Sequence, residues 1–229
     1  MLDQAFETLK TYDWGMDPNV LRPITDAIVK SYGDAAARKD LETRLIAVLK
    51  SEAPRAAKDA VCRALQTIGT AESVPALAAL LPDEKLSHMG RHALERIPAP
   101  EAGQALRDAL PKVAAKLKVG IISSLGVRGE AASVAPLQTA LADSDAAVVS
   151  AAARGLGAIG IPDAAKALAS AMPDPKTKAA IDGALLECAE DLLAAGKKPE
   201  AKAAYGKILA GKPSKHVELA ANLGIKASS

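Results

Sequence analysis

The sequence predicts an all-α fold, a right-handed α-solenoid of about six to seven stacked antiparallel helix pairs, and three observations carry that prediction. Apolar residues make up 49% of the chain, yet its aromatics are only Phe6, Tyr12, Trp14, Tyr32 and Tyr205. A core so rich in Ala and Leu, strong helix formers with compact or flexible side chains, suits helix packed closely on helix. A leucine recurs at Leu77, Leu106, Leu137 and Leu168, a period of about 30 residues, which is the length of one helix-pair repeat. Glycine and proline punctuate the chain in step with that leucine, as the ends and starts of short helices require.

The register is clearest between Ile68–Leu77 and Arg128–Leu137, two stretches of similar sequence displaced by two repeats. Ile97–Leu106 lies between them and Ile159–Leu168 follows. A second column, Leu81, Leu110, Leu141 and Met172, falls one helical turn after the first, with Pro82, Pro111, Ala142 and Pro173 behind it. In each unit a first helix ends near Gly69, Gly129 or Gly160, where a residue without Cβ can take the left-handed conformation. The second helix then carries Val74, Leu77 and Leu81, or Val134, Leu137 and Leu141, on one apolar stripe. In the first helix from Asp143 to Gly160 the stripe is Val148, Ala151, Ala152, Gly155, Leu156 and Ile159, made mostly of small residues.

Residues 1–229 read as a single repeat domain with three zones. Residues 1–54 hold a divergent N-terminal cap and the first helix pair. Met1 to Thr11 predicts a capping helix, Asn19 to Tyr32 a first helix and Ala37 to Lys50 its partner, since Leu45 and Leu49 fall one period before Leu77 and Leu81. The aromatics of the turn Tyr12–Pro18 are expected to cover the end of the core. Residues 55–173 hold the regular repeats, each of about 30 residues. Residues 174–229 hold a lengthened unit, with a first helix from Ala180 to Ala195, and an unpaired last helix from Lys215 to Lys226. That last helix carries Val217, Leu219, Ala220, Leu223 and Ile225, where a terminal repeat would normally be polar. The expectation is therefore that the chain forms part of a longer polypeptide.

At these residues the sequence resembles the HEAT family, in particular the short bacterial HEAT-like units of the phycobilisome-lyase type. The family pattern Asp-x-Asp-x-x-Val-Arg-x-Ala-Ala-x-x-Leu-Gly-x-Ile-Gly is met by Asp143, Asp145, Val149, Ala151, Ala152, Leu156, Gly157, Ile159 and Gly160. It departs at the Arg position, where Ser150, His88 and Asp59 stand in three units. The resemblance covers about Arg55 to Met172. The last unit, Gly196 to Tyr205, is also similar to the second helix of a tetratricopeptide repeat. Either family implies a helix-pair solenoid.

Few chemistries survive inspection. With 29 basic against 27 acidic residues there is no global field to gather nucleic acid, and the C-terminal lysines are interspersed with acids. No apolar run approaches the roughly 18 residues that span a bilayer. The first residues lack the basic and apolar regions of a signal peptide, so a cytoplasmic location is expected, or a periplasmic or secreted one if a signal peptide has been removed. Cys62 and Cys188 fall on first helices four repeats apart, too far for a bridge. Gly155-Leu-Gly157-Ala-Ile-Gly160 has dinucleotide-loop spacing but closes a helix instead of following a strand. His88 and His92, four apart on one helix, are weak candidates for a metal, with Glu95 on the same surface and no obvious third ligand. The iron-binding His-Glu dipeptides of the HEAT-like deoxyhypusine hydroxylases are absent, and the aromatic and acidic lining of a phycobilin-lyase groove is mostly missing.

The sequence therefore predicts a non-catalytic protein-interaction scaffold without catalytic residues or cofactor, whose second helices line a concave face for a protein partner. The residues just after the leucine anchor should face that partner: Arg107, Asp108, Gln138, Thr139, Ser170 and Lys207, beside Ala78, Ala79, Ala169 and Gly206. An accessory segment of a longer bacterial enzyme is the alternative, and a metal- or cofactor-binding lyase is less favoured.

Overall fold

The computed structural model describes residues 1–229 as an all-α chain of fourteen α-helices. The helices are α1 (Leu2–Leu9), α2 (Arg22–Lys30), α3 (Ala35–Leu49), α4 (Arg55–Ile68), α5 (Val74–Ala78), α6 (Ser87–Arg96) and α7 (Pro100–Ala109). They continue with α8 (Ala115–Arg128), α9 (Val134–Ala140), α10 (Ala146–Ile159), α11 (Pro162–Ser170), α12 (Lys178–Ala194), α13 (Lys198–Ala210) and α14 (Lys215–Ala227). Read in order, α2 to α13 form six first-and-second helix pairs of an α-solenoid, with α1 before them and α14 after. The helices fall into two compact units, Met1–Leu117 and Lys118–Ser229.

Local sequence explains the boundaries. Asp34 caps α3 by accepting from the Ala37 amide at 3.0 Å, and Asp145 caps α10 through Ala147 at 2.8 Å. Proline opens α5, α7, α11 and α13 within their first two residues, where its missing N–H costs nothing. The two-repeat displacement is reproduced in the backbone, since 3₁₀ turns at Ala71–Ser73 and Ala131–Ser133 lead into α5 and α9. Gly129 and Gly160 are left-handed, with φ of 65° and 63°.

Gly69 departs from that expectation, with extended φ −62° and ψ 144°. Its glycine serves close approach instead, because a Cβ there would lie 2.9 Å from Ile97 Cδ1 and closer still to the Leu65 carbonyl.

In the first unit, α4 packs on α6 and α5 on α7, so first helices stack on first helices and second on second. Arg44 on α3 lies 4.0 Å above the Phe6 ring and donates to Asp3 at 2.7 Å, which ties α1 to α3. In the second unit α10 packs on α12, while α9, α11 and α13 succeed one another. The predicted α10 stripe is buried throughout. Its small residues let the chain close up, for a Cβ on Gly126 of α8 would lie 2.9 Å from the Gly155 Cα. At the far end α14 sets Gly224 against the Tyr205 ring.

Leu77, Leu106, Leu137 and Leu168 are each no more than 1% exposed. Each such burial contributes about 1.5–3 kcal/mol. The second column decays along the chain: Leu81 and Leu110 are buried, Leu141 is half-buried and Met172 is 97% exposed. The reason is helix length, since α11 ends at Ser170 and Ala171 turns extended with ψ 145°, which swings Met172 off the stripe. The N-terminal aromatics also depart from expectation. Trp14 is exposed and Tyr12 is half-buried, because the turn at 12–17 runs over the surface without folding back on the core.

Candidate functional site: the second-helix face and the first-helix hollows

The residues expected to meet a partner fall on both units. In the first unit, Arg107 and Asp108 follow the buried Leu106 on α7. Gln104 links them, accepting from Arg107 Nη2 at 3.0 Å and donating to Asp108 Oδ1 at 2.8 Å. In the second unit Gln138 and Thr139 on α9, Ser170 on α11 and Lys207 on α13 are all exposed, on three helices that pack in sequence.

The hydroxyls there are partly spent. Thr139 donates to the Ala135 carbonyl at 3.2 Å and Ser170 to the Lys166 carbonyl at 2.8 Å, each one turn back. That leaves their oxygens as acceptors. Between α11 and α13 lies a hollow of about 150 Å³ floored by Ala165, Ala169 and Ala204, with Lys166 and Glu200 at its edge.

His88 and His92 on α6 come together edge to face, with ring centroids 4.4 Å apart. His88 Nδ1 is 2.9 Å from Arg91 Nη2, and His92 Nδ1 is 3.3 Å from Glu95 Oε2. Burial pushes the His88 imidazole below its usual range, and the Arg91 and His92 charges push the same way. Asp59, Cys62 and Met89 share the small hollow beside the pair. No group of three or more His, Cys, Asp or Glu side chains is placed to hold a metal ion.

The cysteines are core residues. Cys62 and Cys188 are free and buried, and burial pushes both thiols up to about 12. Cys188 donates to the Leu156 carbonyl at 3.4 Å, so it ties α12 to α10. A thiol held in this protonated form is a poor nucleophile.

Sequence reasoning passed over one further hollow. It encloses about 490 Å³ in the first unit, with Leu9, Leu21, Ile24 and Ile28 on one side and Ala60 and Ala64 of α4 on the other. The 3₁₀ turn Pro18–Leu21 runs directly into α2 and supplies Pro18 and Leu21 to the wall of the hollow.

Repeated helix pairs with buried leucine anchors and exposed second-helix faces define a helical repeat protein. Residues 104–186 match the family described as HEAT repeats, and that stretch is similar to it. The match begins inside α7 and ends inside α12.

Solved structures similar to the chain include human deoxyhypusine hydroxylase in complex with glycerol, at 14% identity and a TM-score of 0.39, covering 99% of this chain and 95% of that one. A designed armadillo repeat protein in complex with the peptide (KR)4 is 17% identical with a TM-score of 0.38, covering 100% and 99%. An engineered protein is 20% identical with a TM-score of 0.32, covering 100% and 97%. No curated protein matches the chain. No helix is long and apolar enough to cross a membrane.

Proposed function

We propose that the chain is a non-catalytic protein-recognition module, and that α9, α11 and α13 present its docking face. The observation that carries this reading is the pairing of exposed polar ends with an apolar notch on those three helices. Gln138 and Lys207 stand exposed on the outer helices. The alanine-floored hollow between α11 and α13 has room for one aliphatic side chain of a partner. An apolar anchor ringed by polar contacts is the usual economy of a protein interface. Arg107 and Asp108 offer a second, polar patch on the first unit.

The test is affinity capture from the source cell with wild type, Gln138→Ala/Lys207→Ala and Arg107→Ala/Gln138→Ala. Partners held by wild type and lost from the variants support the face, provided that a Val127→Ser control on α8 retains them. Identical recovery from all four proteins would sink it.

A second reading, an accessory helical segment serving a larger enzyme, draws on α14, where Leu219 and Leu223 are 63% and 58% exposed one turn apart. It predicts that Leu219→Ser/Leu223→Ser lowers capture of the enzyme and leaves the α9–α11–α13 partners in place.

A further inference from the structure

We propose that the hollow between α2 and α4 binds a medium-chain monocarboxylate, with the alkyl chain lying along α2 and the carboxylate on Arg63. At about 490 Å³ the space falls within the range of small-ligand sites, roughly 300–1,000 Å³. Its walls are aliphatic. Arg63 is the only charged side chain among its lining residues, and the hydroxyls of Tyr12, Thr25 and Thr67 are the other side-chain polar groups. An apolar body with one anionic end complements that distribution, whereas a cation opposes it.

Arg63 stands at the rim of the hollow with its side chain 67% exposed, and it also borders the neighbouring hollow toward α6. Its Nη2 pairs with Asp59, one turn back on α4, and its remaining N–H groups can donate to a ligand carboxylate. Planar, bidentate donation to a carboxylate is what Arg supplies and Lys does not.

The second unit contains an internal control. Ala151, Arg154, Gly155 and Ala158 of α10 stand three repeats after Ala60, Arg63, Ala64 and Thr67, and line the corresponding groove against α8. That groove measures about 320 Å³ against about 490 Å³ for the first, and in it Gly126 of α8 is set closely on Gly155. Selectivity for the first groove over the second therefore follows from its larger volume.

The full chain is titrated calorimetrically with sodium octanoate and, separately, with octan-1-ol, and amide NMR shifts locate each ligand. Saturable one-to-one octanoate binding with shifts on α2 and α4 is expected. Loss of a hydrogen-bonded ion pair should weaken octanoate binding about tenfold or more in Arg63→Gln and leave octanol binding unchanged. Arg154→Gln should bind octanoate as wild type does, and Ala64→Leu should lose both ligands. The proposal is overturned by non-saturable binding, by shifts centred away from α2 and α4, by an Arg63→Gln protein that keeps wild-type affinity for octanoate, or by a loss confined to Arg154→Gln. If Ala64→Leu fails to fold, the shift map and Arg63→Gln still decide.

Discussion

Glu42 on α3 accepts three hydrogen bonds from the next repeat, and one of them is from the Thr70 amide at 2.7 Å. The Thr70 hydroxyl donates at 3.0 Å and the Ser73 hydroxyl also donates, so a carboxylate only 2% exposed is matched by donors and joins the second helix of one pair to the entry of the next. Removing it would strand those donors in the interior. Glu42→Ala is expected to lose about 2–4 kcal/mol of stability. Urea unfolding followed by circular dichroism measures it, and a loss below about 0.5 kcal/mol would show that water replaces the carboxylate freely.

Ser73 and Ser133 occupy the same place in units two repeats apart, both fully buried. Only Ser73 has its carboxylate; Ser133 Oγ has no hydrogen-bond partner. The same substitution should therefore act differently at the two sites. Ser73→Ala gives up a bond to a charged group, worth about 1.5–3 kcal/mol. Ser133→Ala removes a desolvated hydroxyl and should be neutral or stabilising by up to about 1 kcal/mol. Equal losses in parallel urea titrations would contradict the assignment.

These contrasts show where the sequence is legible. The two-repeat displacement predicted the recurrence of turn and helix at Ala71–Ala78 and Ala131–Ala140, because short-range glycine, proline and leucine spacing determines such turns. Glu42 was invisible for the opposite reason. It sits in the charge-rich run Ala-Arg-Lys-Asp-Leu-Glu-Thr-Arg, which reads as a solvated face, and its burial depends on donors contributed by the following repeat. Met172 leaves the stripe because the length of a helix decides whether its last residues reach the core, and length is the least legible property of an element. The polar residues after the leucine anchors fall on their helices by the same periodicity that predicted the anchors.

Glycines in the second unit divide by what surrounds them. A Cβ on Gly126 would press on the Gly155 Cα, backbone that cannot yield cheaply, so Gly126→Ala should cost about 1–3 kcal/mol. Gly183, inside α12, has nothing within 4 Å of its would-be Cβ. Gly183→Ala should gain about 0.4–1 kcal/mol, because alanine lowers the entropy of the unfolded chain and strengthens the helix. Thermal unfolding of the two variants should move in opposite directions, and a shared direction would refute the packing at Gly126.

Glu187 supplies a pH test of the second unit. Partial desolvation against α10 raises its carboxyl above the usual range, and the Asp191 and Glu190 charges on the same helix add to the effect. Across α10, Gly157 lies against the Glu187 side chain and Gly160 against Asp191, so acids gather at the carbonyl end of a helix, where negative charge is unfavourable. With the folded pKa above the unfolded one, the folded state binds more protons. Stability is fully present below the ordinary carboxyl pKa and falls as pH rises through the raised one. Glu187→Gln should therefore stabilise the protein at pH 7 and lose its advantage near pH 4. Glu187 is exposed, so solvent screening limits the gain to about 0.5 kcal/mol or less. Urea midpoints of wild type and variant from pH 4 to pH 8 should diverge upward from a common value. A variant less stable than wild type at pH 7 would mean that the carboxylate is held by a favourable contact instead.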